Sequence, residues 1–333
     1  METQDRSTFA AWTRITDFAS ANSLIVLLAF LAVFPFLVPY TAIATQILIS
    51  GLFAMGYNIL LGYTGLLSFG HAAYFGLGAY GAGMALVYLK MGLIGGVLFG
   101  AVTATLGAMA IGFLCLKRRG IYFGMLTLAF AQLFYFLALA VFDKYTGGDD
   151  GLRNIPVLPI VLPGGVSLNV DTPVRFYYFV FVLCVLSFLA MRRILNSPFG
   201  AVLQSIRENE KRAKSCGFNT NRVKWIAFVF SGFFSGLAGS LYAIYYHIAP
   251  LNTLYWTTSG SVVMMTILGG MGTFAGPFVG AAVFLILEDV ISVFTKSWQL
   301  FVGAIFMLFV IFFPLGIWGT LQERVFYRWL RQD

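Results

Sequence analysis

Two stretches without a charged side chain constrain this 333-residue chain more than any other feature. No Asp, Glu, Lys or Arg occurs from Phe18 to Leu89, a run of 72 residues, or from Trp225 to Leu287, a run of 63 residues. About 20 apolar residues cross a bilayer, whereas a soluble helix returns polar residues to water every turn or two. Charged residues make up 10% of the chain, against about 25% in soluble domains. These values exclude a soluble enzyme, a disordered tail protein and a disulfide scaffold.

The apolar runs predict an all-α, polytopic transmembrane helical bundle, because barrel strands would alternate in polarity. About ten membrane segments fit the chain, and eight full spans with glycine-broken half-helices are the alternative. The segment Gly260–Gly272 is short enough to be a half-helix or a re-entrant piece. The predicted segments are Leu24–Val38, Ala42–Leu61, Leu67–Leu89, Leu93–Leu116, Ile121–Phe142, Phe176–Ile194, Trp225–Tyr245, Gly260–Gly272, Pro277–Val293 and Gln299–Trp318.

The basic residues divide unevenly between the two sides of this arrangement. With the N-terminus inside, 16 of the 21 Lys and Arg residues lie on the inner side and 5 on the outer side. Short cytoplasmic loops carry the excess of Lys and Arg, so both termini are predicted to be cytoplasmic. The chain then divides into a cytoplasmic N-terminal segment (1–23), one transmembrane domain (24–318) and a cytoplasmic tail (319–333). An outer loop spans residues 143–175 and a basic inner loop spans residues 192–224.

The inner loop carries the start and stop residues of a helix. Ser197 suits the N-cap, Pro198 the first helical position and Gly217 the C-terminal stop. The predicted helix is amphipathic and about 18 residues long, with Glu208–Arg212 and Glu210–Lys214 as i,i+4 ion pairs. Its charged face could dock on anionic lipid or on another protein, and the residues alone do not decide between them.

A glycine-rich stretch from Gly62 to Gly83 holds seven glycines in 22 residues and cannot form a robust continuous helix. Broken helices at membrane depth occur where they line a cavity or are buried in protein. A second such stretch runs from Gly269 to Gly280. Close packing of small residues is one interpretation, and lining of a substrate pathway is the other. The candidate pathway residues are Asn58, Gly65, Ser68, Gly70, His71 and Tyr74.

Catalytic chemistry is not apparent in the sequence. No lysine follows a glycine, so a phosphate-binding loop is missing, and two histidines with three scattered cysteines have no metal-ligand spacing. We therefore expect no bound cofactor, no metal and no catalytic residue. Active transport by this chain would need energy from another chain.

Several motifs together are similar to the branched-chain amino acid ABC transporter permeases, in particular the larger of their two permease subunits. The resemblance covers roughly residues 40–320 and departs at Ala201 and Cys216, where arginine and an aliphatic residue are expected. The motifs that carry it are Gly62-Tyr-Thr-Gly-Leu-Leu-Ser-Phe-Gly-His-Ala-Ala-Tyr-Phe-Gly-Leu-Gly-Ala-Tyr80, Lys117-Arg-Arg-Gly-Ile-Tyr-Phe-Gly-Met-Leu-Thr-Leu128, Thr146-Gly-Gly-Asp-Asp-Gly-Leu152, Ala201-Val-Leu-Gln-Ser-Ile-Arg-Glu-Asn-Glu210 and Gly269-Gly-Met-Gly-Thr-Phe-Ala-Gly-Pro277.

The resemblance implies a multi-pass permease of the bacterial inner membrane that imports branched-chain amino acids by alternating access. It also implies a second homologous permease, two cytoplasmic ATP-binding subunits that hydrolyse the ATP, and a periplasmic substrate-binding protein. The inner helix then corresponds to the loop that couples the permease to the ATPases, with Arg207, Glu208, Asn209, Glu210, Ala213 and Gly217 as candidate contacts. Asp149, Asp150 and Arg153 in the outer loop are candidates for docking the binding protein.

Two other functions compete with this interpretation. A permease of the same family could carry urea or short amides, since the binding protein selects the substrate in such systems. A self-sufficient channel or secondary transporter is a different class, and the near absence of buried ionisable residues argues against a proton-coupled pump.

Overall fold

The computed structural model describes residues 41–118, 120–161, 167–170 and 172–321. The predicted first span, Leu24–Val38, and most of the C-terminal tail lie outside the described residues. The helices bounded within the described part are α1 (Thr41–Asn58), α2 (His71–Val87), α3 (Leu93–Cys115), α4 (Ile121–Phe136), α5 (Asp143–Thr146), α6 (Pro173–Leu195), α7 (Pro198–Ser215), α8 (Thr220–Tyr246), α9 (Trp256–Gly269), α10 (Gly276–Phe294) and α11 (Trp298–Phe312).

Short non-α elements complete the described part of the chain. Two π-helical segments, Ile59–Thr64 and Leu137–Val141, extend α1 and α4, and two 3₁₀ turns cover Gly148–Asp150 and Leu251–Leu254. The strands have two residues each and form two antiparallel pairs, β1 with β4 and β2 with β3. They are β1 (Leu152–Arg153), β2 (Ile160–Val161), β3 (Ser167–Leu168) and β4 (Ile248–Ala249).

The predicted all-α membrane bundle is confirmed. Seven helices of the described part are long and apolar enough to cross a membrane. Helices α2 and α9, with 17 and 14 residues, are too short to count among them. The prediction of a shortened segment at Gly260–Gly272 is therefore confirmed, and a total of about ten membrane segments is compatible with the helices seen.

Small residues let the three central helices α2, α3 and α8 touch through their backbones. A Cβ added to Gly239 of α8 would lie 1.9 Å from the carbonyl oxygen of Phe75 on α2. A Cβ added to Gly78 would lie 2.1 Å from the carbonyl oxygen of Gly236. In lipid, where helix association depends on close van der Waals contact, this packing explains why glycine is so frequent in these helices.

The ends of the bundle differ in character. One end holds the short β1–β4 ladder, in which Leu152 lies opposite Ala249. The other end, which we call the basic end, holds Lys117, Arg118 and the amphipathic helix α7. Both glycine-rich stretches break at the basic end, and α7 lies across that end against them and the start of α8.

Candidate functional site

The first glycine-rich stretch interrupts the helix at the basic end. Helix α1 continues as the π-helix Ile59–Thr64 and stops at Gly65, whose φ of +75° is the left-handed conformation that glycine adopts without strain. The chain is then irregular until α2 starts at His71. The predicted break in this stretch is therefore present, and it lies between Gly65 and Gly70.

The second glycine-rich stretch meets the first through one side chain. Asn58, which is 3% exposed, donates from Nδ2 to the carbonyl oxygen of Thr273 over 2.9 Å. Its Oδ1 accepts a hydrogen bond from the backbone N–H of Gly272 over 3.1 Å. A Cβ on Gly62 would lie 2.0 Å from the same Oδ1, so only glycine leaves room for this bridge. Asn58, a candidate for lining a pathway, thus joins the two breaks in this structure.

Arg207 of α7 completes this junction from the basic end. Its Nη1 donates a hydrogen bond to the carbonyl oxygen of Gly62. A Cβ on Gly65 would lie 3.2 Å from its Cγ, and a Cβ on Gly272 would lie 2.7 Å from its Nη1. We call the cluster of Asn58, Gly62, Gly65, Arg207 and Gly272 the glycine junction.

Helix α7 differs from the single helix predicted for the inner loop. Asn209 has non-helical dihedrals, φ −156° and ψ 97°, and its Oδ1 accepts a hydrogen bond from the N–H of Arg212 over 3.0 Å. Asn209 thus caps a second short helix within α7, as an N-cap residue does. The expectation of one continuous helix is wrong at this position. The predicted stop is present, since Gly217 has a φ of +87° just beyond the last helical residue.

The break also changes the ion pairs of α7. Glu210 pairs with Lys214 over 3.6 Å as predicted, whereas Glu208 and Arg212 form no ion pair in the described part of the chain. Glu210 has a closer partner that the sequence did not suggest: Lys224 of α8, at 2.8 Å. The side chain of Lys224 is 9% exposed and that of Glu210 is 19% exposed, so this pair is largely removed from water. Thr220 also donates its Oγ1 proton to Glu210 over 3.2 Å.

The apolar face of α7 is covered by the chain itself. Leu203, Ile206 and Ala213 are 0%, 4% and 4% exposed, and α7 contacts the π-helical end of α1 as well as α6 and α8. These three apolar side chains are therefore covered by the described part of the chain, whereas Ala201 is exposed. Ala213, a candidate ATPase contact, lies on the same inward face as Ile206, seven residues before it.

The candidate pathway residues of the first break lie deep in the bundle. Ser68, His71 and Tyr74 are each 0% exposed. Nε2 of His71 lies 2.8 Å from Oγ of Ser231, which donates its proton to the carbonyl oxygen of Gly56 over 2.7 Å. In the neutral ring the hydrogen therefore sits on Nε2, and Nδ1 is left as an acceptor.

The backbone amides at the start of α2 are occupied by protein side chains. Phe69 donates its N–H to Thr127 over 3.1 Å, and Ala72 donates to Ser259 over 2.8 Å. The N–H of Gly70 bonds Oγ of Ser68 over 3.2 Å, and a Cβ on Gly70 would lie 2.8 Å from the carbonyl oxygen of Thr127. These donors hold the break in place, and in this conformation they are not directed at a solute.

The motif Thr146–Leu152 forms a rigid corner at the end opposite to the basic end. Thr146 donates its Oγ1 proton to the carbonyl oxygens of Ala138 and Phe142 over 2.6 and 2.8 Å. Three glycines of the motif have positive φ, as a chain with this sharp reversal requires. The corner leaves the charged side chains outside: Asp149 is exposed, and Asp150 pairs with Arg153 over 2.6 Å with both side chains largely exposed.

Comparison with known proteins assigns the chain to a family. A family model described as "Branched-chain amino acid transport system / permease component" matches residues 39–311. The chain belongs to this family of permeases. It is 29% identical over 315 residues to the high-affinity branched-chain amino acid transport system permease protein LivM of Salmonella typhimurium, covering 88% of this chain and 74% of LivM.

The second permease type is also similar to the chain. LivH of Escherichia coli is 26% identical over 284 residues, covering 80% of this chain and 90% of LivH. The guanosine ABC transporter permease protein NupQ of Bacillus subtilis is 30% identical over 93 residues, covering 28% of this chain and 26% of NupQ. No solved structure matches the chain significantly.

Sequence reasoning on this permease missed Lys224 as an interior contact, and it placed Ser231 in the membrane without assigning it a partner. Both belong to one helical stripe of α8, since Phe228, Ser231 and Ser235 follow Lys224 at i+4, i+7 and i+11, and all four are buried. That spacing was available in the sequence and would have identified Lys224 as inward-facing. Its pairing with Glu210 could be found only from the tertiary structure.

Proposed function

We propose that this permease is the larger membrane subunit of an ATP-binding-cassette importer that carries branched-chain amino acids across the bacterial inner membrane. The family match and the 29% identity to LivM support this assignment. The observation that carries it is the form of α7: a helix at the basic end with its apolar side held by the bundle and its charged side left exposed.

The exposed side of α7 is the proposed docking surface for the two cytoplasmic ATPases. Glu208, Asn209, Lys211 and Arg212 are all exposed around the break. Phe218, in the turn after α7, is 46% exposed and adds an apolar contact at the same surface. A cationic surface with one exposed aromatic side chain is typical of a protein interface, because aromatic residues and arginine supply most contact energy.

The chain would bind no cofactor and hydrolyse no ATP itself, and the partner ATPases would drive alternating access. A second, homologous permease would form the other half of the pathway, consistent with the similarity of this chain to both LivM and LivH. All six residues predicted for the pathway stay candidates: Asn58, Gly65, Ser68, Gly70, His71 and Tyr74. Within the described part of the chain, Nδ1 of His71, the hydroxyl of Tyr74 and Oγ of Ser235 are buried without a hydrogen-bond partner, so hydrogen-bonding capacity is left unused beside the first break.

The opposite end would receive the periplasmic binding protein. Asp149, Asp150 and Arg153 stand on a corner that is fixed by backbone hydrogen bonds and by the β1–β4 ladder, so they form a preorganised polar surface. This end is periplasmic if both termini are cytoplasmic, as the distribution of basic residues predicts.

Reconstitution in liposomes tests the class of transporter. The chain alone should not move leucine, while the complete importer with ATP inside the vesicles should accumulate it in the presence of binding protein. Passage of leucine through the chain alone would instead support a channel. Competition by urea, short amides and guanosine at equal concentration tests the substrate, and displacement of leucine uptake by one of them would contradict the branched-chain assignment.

Charge reversal tests the docking surface. The double change Lys211→Glu with Arg212→Glu should lower co-purification of the ATPases, and Arg193→Glu on α6 is the matched control outside α7. Exposed ion pairs contribute about 0–1 kcal/mol each, so we expect a several-fold weaker complex rather than complete loss. Unchanged binding by the double variant would show that the ATPases dock elsewhere.

A further inference from the structure

Arg207 is exposed like its neighbours on α7, but within the described part of the chain it is the one basic residue of α7 whose side chain hydrogen-bonds the carbonyl end of α1. Its Nη1 bonds a backbone carbonyl oxygen, that of Gly62, which lies 145 residues away in the sequence. Its Cγ lies against Gly65, and its guanidinium lies against Gly272. Within the described part of the chain Arg207 has no carboxylate partner, whereas Glu210 binds both Lys214 and Lys224.

The carbonyl group that Arg207 binds belongs to the end of a helix. The last carbonyl groups of a helix have no intrahelical donor and carry a partial negative charge, so a cation placed there is favourable. Arg207 therefore acts as a side-chain cap for the π-helical end of α1. A charge-assisted hydrogen bond of this kind is about twice as strong as a neutral one.

The same carbonyl end is tied to the second break. Asn58 binds both Gly272 and Thr273, so the end of α1 and the turn 270–273 are held as one unit. The first break leads directly to His71 in the bundle interior. A displacement of Arg207 would thus change the contacts that hold both glycine breaks.

The break at Asn209 separates this contact from the second anchor of α7. Residues 198–208 carry Arg207 and reach the end of α1. Residues 210–215 are held to α8 by the pair Glu210–Lys224. Two short helices joined at a non-helical residue can change their mutual angle. Movement of the first half of α7 would therefore act on α1, and movement of the second half would act on α8.

We infer that Arg207 is the positioning residue through which movement of α7 reaches the glycine junction and the interior behind it. The inference rests on the proposed function, in which α7 is the surface that the ATPases bind. It places Arg207 in the transmission of movement rather than in the docking contact itself.

The test compares transport with ATP hydrolysis in the complete reconstituted importer. Arg207→Met keeps the aliphatic stem and removes the guanidinium. This variant should co-purify with the ATPases and hydrolyse ATP, while leucine uptake per ATP falls about tenfold or more, as expected from loss of a charge-assisted bond. Arg207→Lys, which keeps the charge but not the planar donor, should lie between Arg207→Met and the wild type. Arg193→Met is the control and should keep the wild-type ratio.

Each other outcome overturns the inference in a recognisable way. A wild-type ratio of leucine uptake to ATP hydrolysis in Arg207→Met would show that the movement of α7 does not reach the glycine junction through Arg207. Loss of ATPase co-purification in Arg207→Met would make it a docking contact, which contradicts the inference and supports the proposed function. Should Arg207→Met fail to insert, the ratio measured for Arg207→Lys decides, since a wild-type ratio there contradicts the need for a guanidinium at the glycine junction. Inability of the wild-type importer to couple leucine uptake to ATP would contradict the proposed function instead.

Discussion

Lys224 and Lys214 bind the same carboxylate from different environments, so removing each amine in turn measures what burial adds to an ion pair. Lys224 lies 2.8 Å from Glu210 with 9% of its side chain exposed, and Lys214 lies 3.6 Å away with 42% exposed. Breaking a buried pair by removing one partner costs about 3–5 kcal/mol, whereas an exposed pair is worth about 0–1 kcal/mol.

For Lys224→Met we expect a loss of stability of about 2–3 kcal/mol, at or just below the lower limit of the range for buried pairs. The carboxylate of Glu210 is 19% exposed and keeps its hydrogen bond from Thr220, so the remaining charge is only partly desolvated. For Lys214→Met the cost should stay below about 1 kcal/mol, because water replaces the lost amine.

Hydrogen–deuterium exchange of residues 210–215 in the detergent-purified chain measures this difference as local opening. Since about 1.4 kcal/mol is a tenfold change, Lys224→Met should raise the opening constant about 30- to 140-fold and Lys214→Met less than about fivefold. Adding Glu210→Gln to Lys224→Met should recover part of the loss, because the unpaired buried charge disappears. Equal effects of the two lysine substitutions, or no recovery by Glu210→Gln, would refute the reasoning.

Two further predictions concern packing and orientation. Gly239→Ala should lower the thermal midpoint of the purified chain, because its Cβ would lie 1.9 Å from the Phe75 carbonyl oxygen and overpacking costs about 1–3 kcal/mol. The control Gly260→Ala, whose Cβ would have no atom within 4 Å, should leave the thermal midpoint equal or higher. A similar midpoint for both variants would contradict the backbone contact at Gly239. In cells carrying Asn154→Cys with Cys216→Ser, an impermeant thiol reagent applied from outside should label the new cysteine. In cells with the wild-type chain the same reagent should leave Cys216 unlabelled, and labelling of Cys216 there would reverse the proposed orientation.

Much of the fold could be predicted from the sequence because it depends on local properties. A run of apolar residues must satisfy its backbone hydrogen bonds internally in lipid, and that requirement alone gives helices. The glycine-rich stretch after Gly62 breaks because glycine lowers helix stability and permits the left-handed conformation found at Gly65. Pro198 and Gly217 likewise mark the ends of α7.

The candidate site depended on contacts that no local pattern specifies. Asn58 reaches Gly272 across 214 residues, and Arg207 reaches Gly62 across 145 residues. An i,i+4 rule suggested partners on α7 itself, but burial beside α8 gave Glu210 a nearer partner in Lys224.

The sequence by itself thus determined that this chain is a bundle of apolar helices with two glycine breaks and a basic amphipathic helix. Apolar length, glycine content and charge pattern act within a few turns of chain. Only the tertiary structure decided that the two breaks meet and that Arg207 caps α1. The physical reason is that a buried polar group is satisfied by whichever partner packing brings within hydrogen-bond distance, and packing joins residues far apart in sequence.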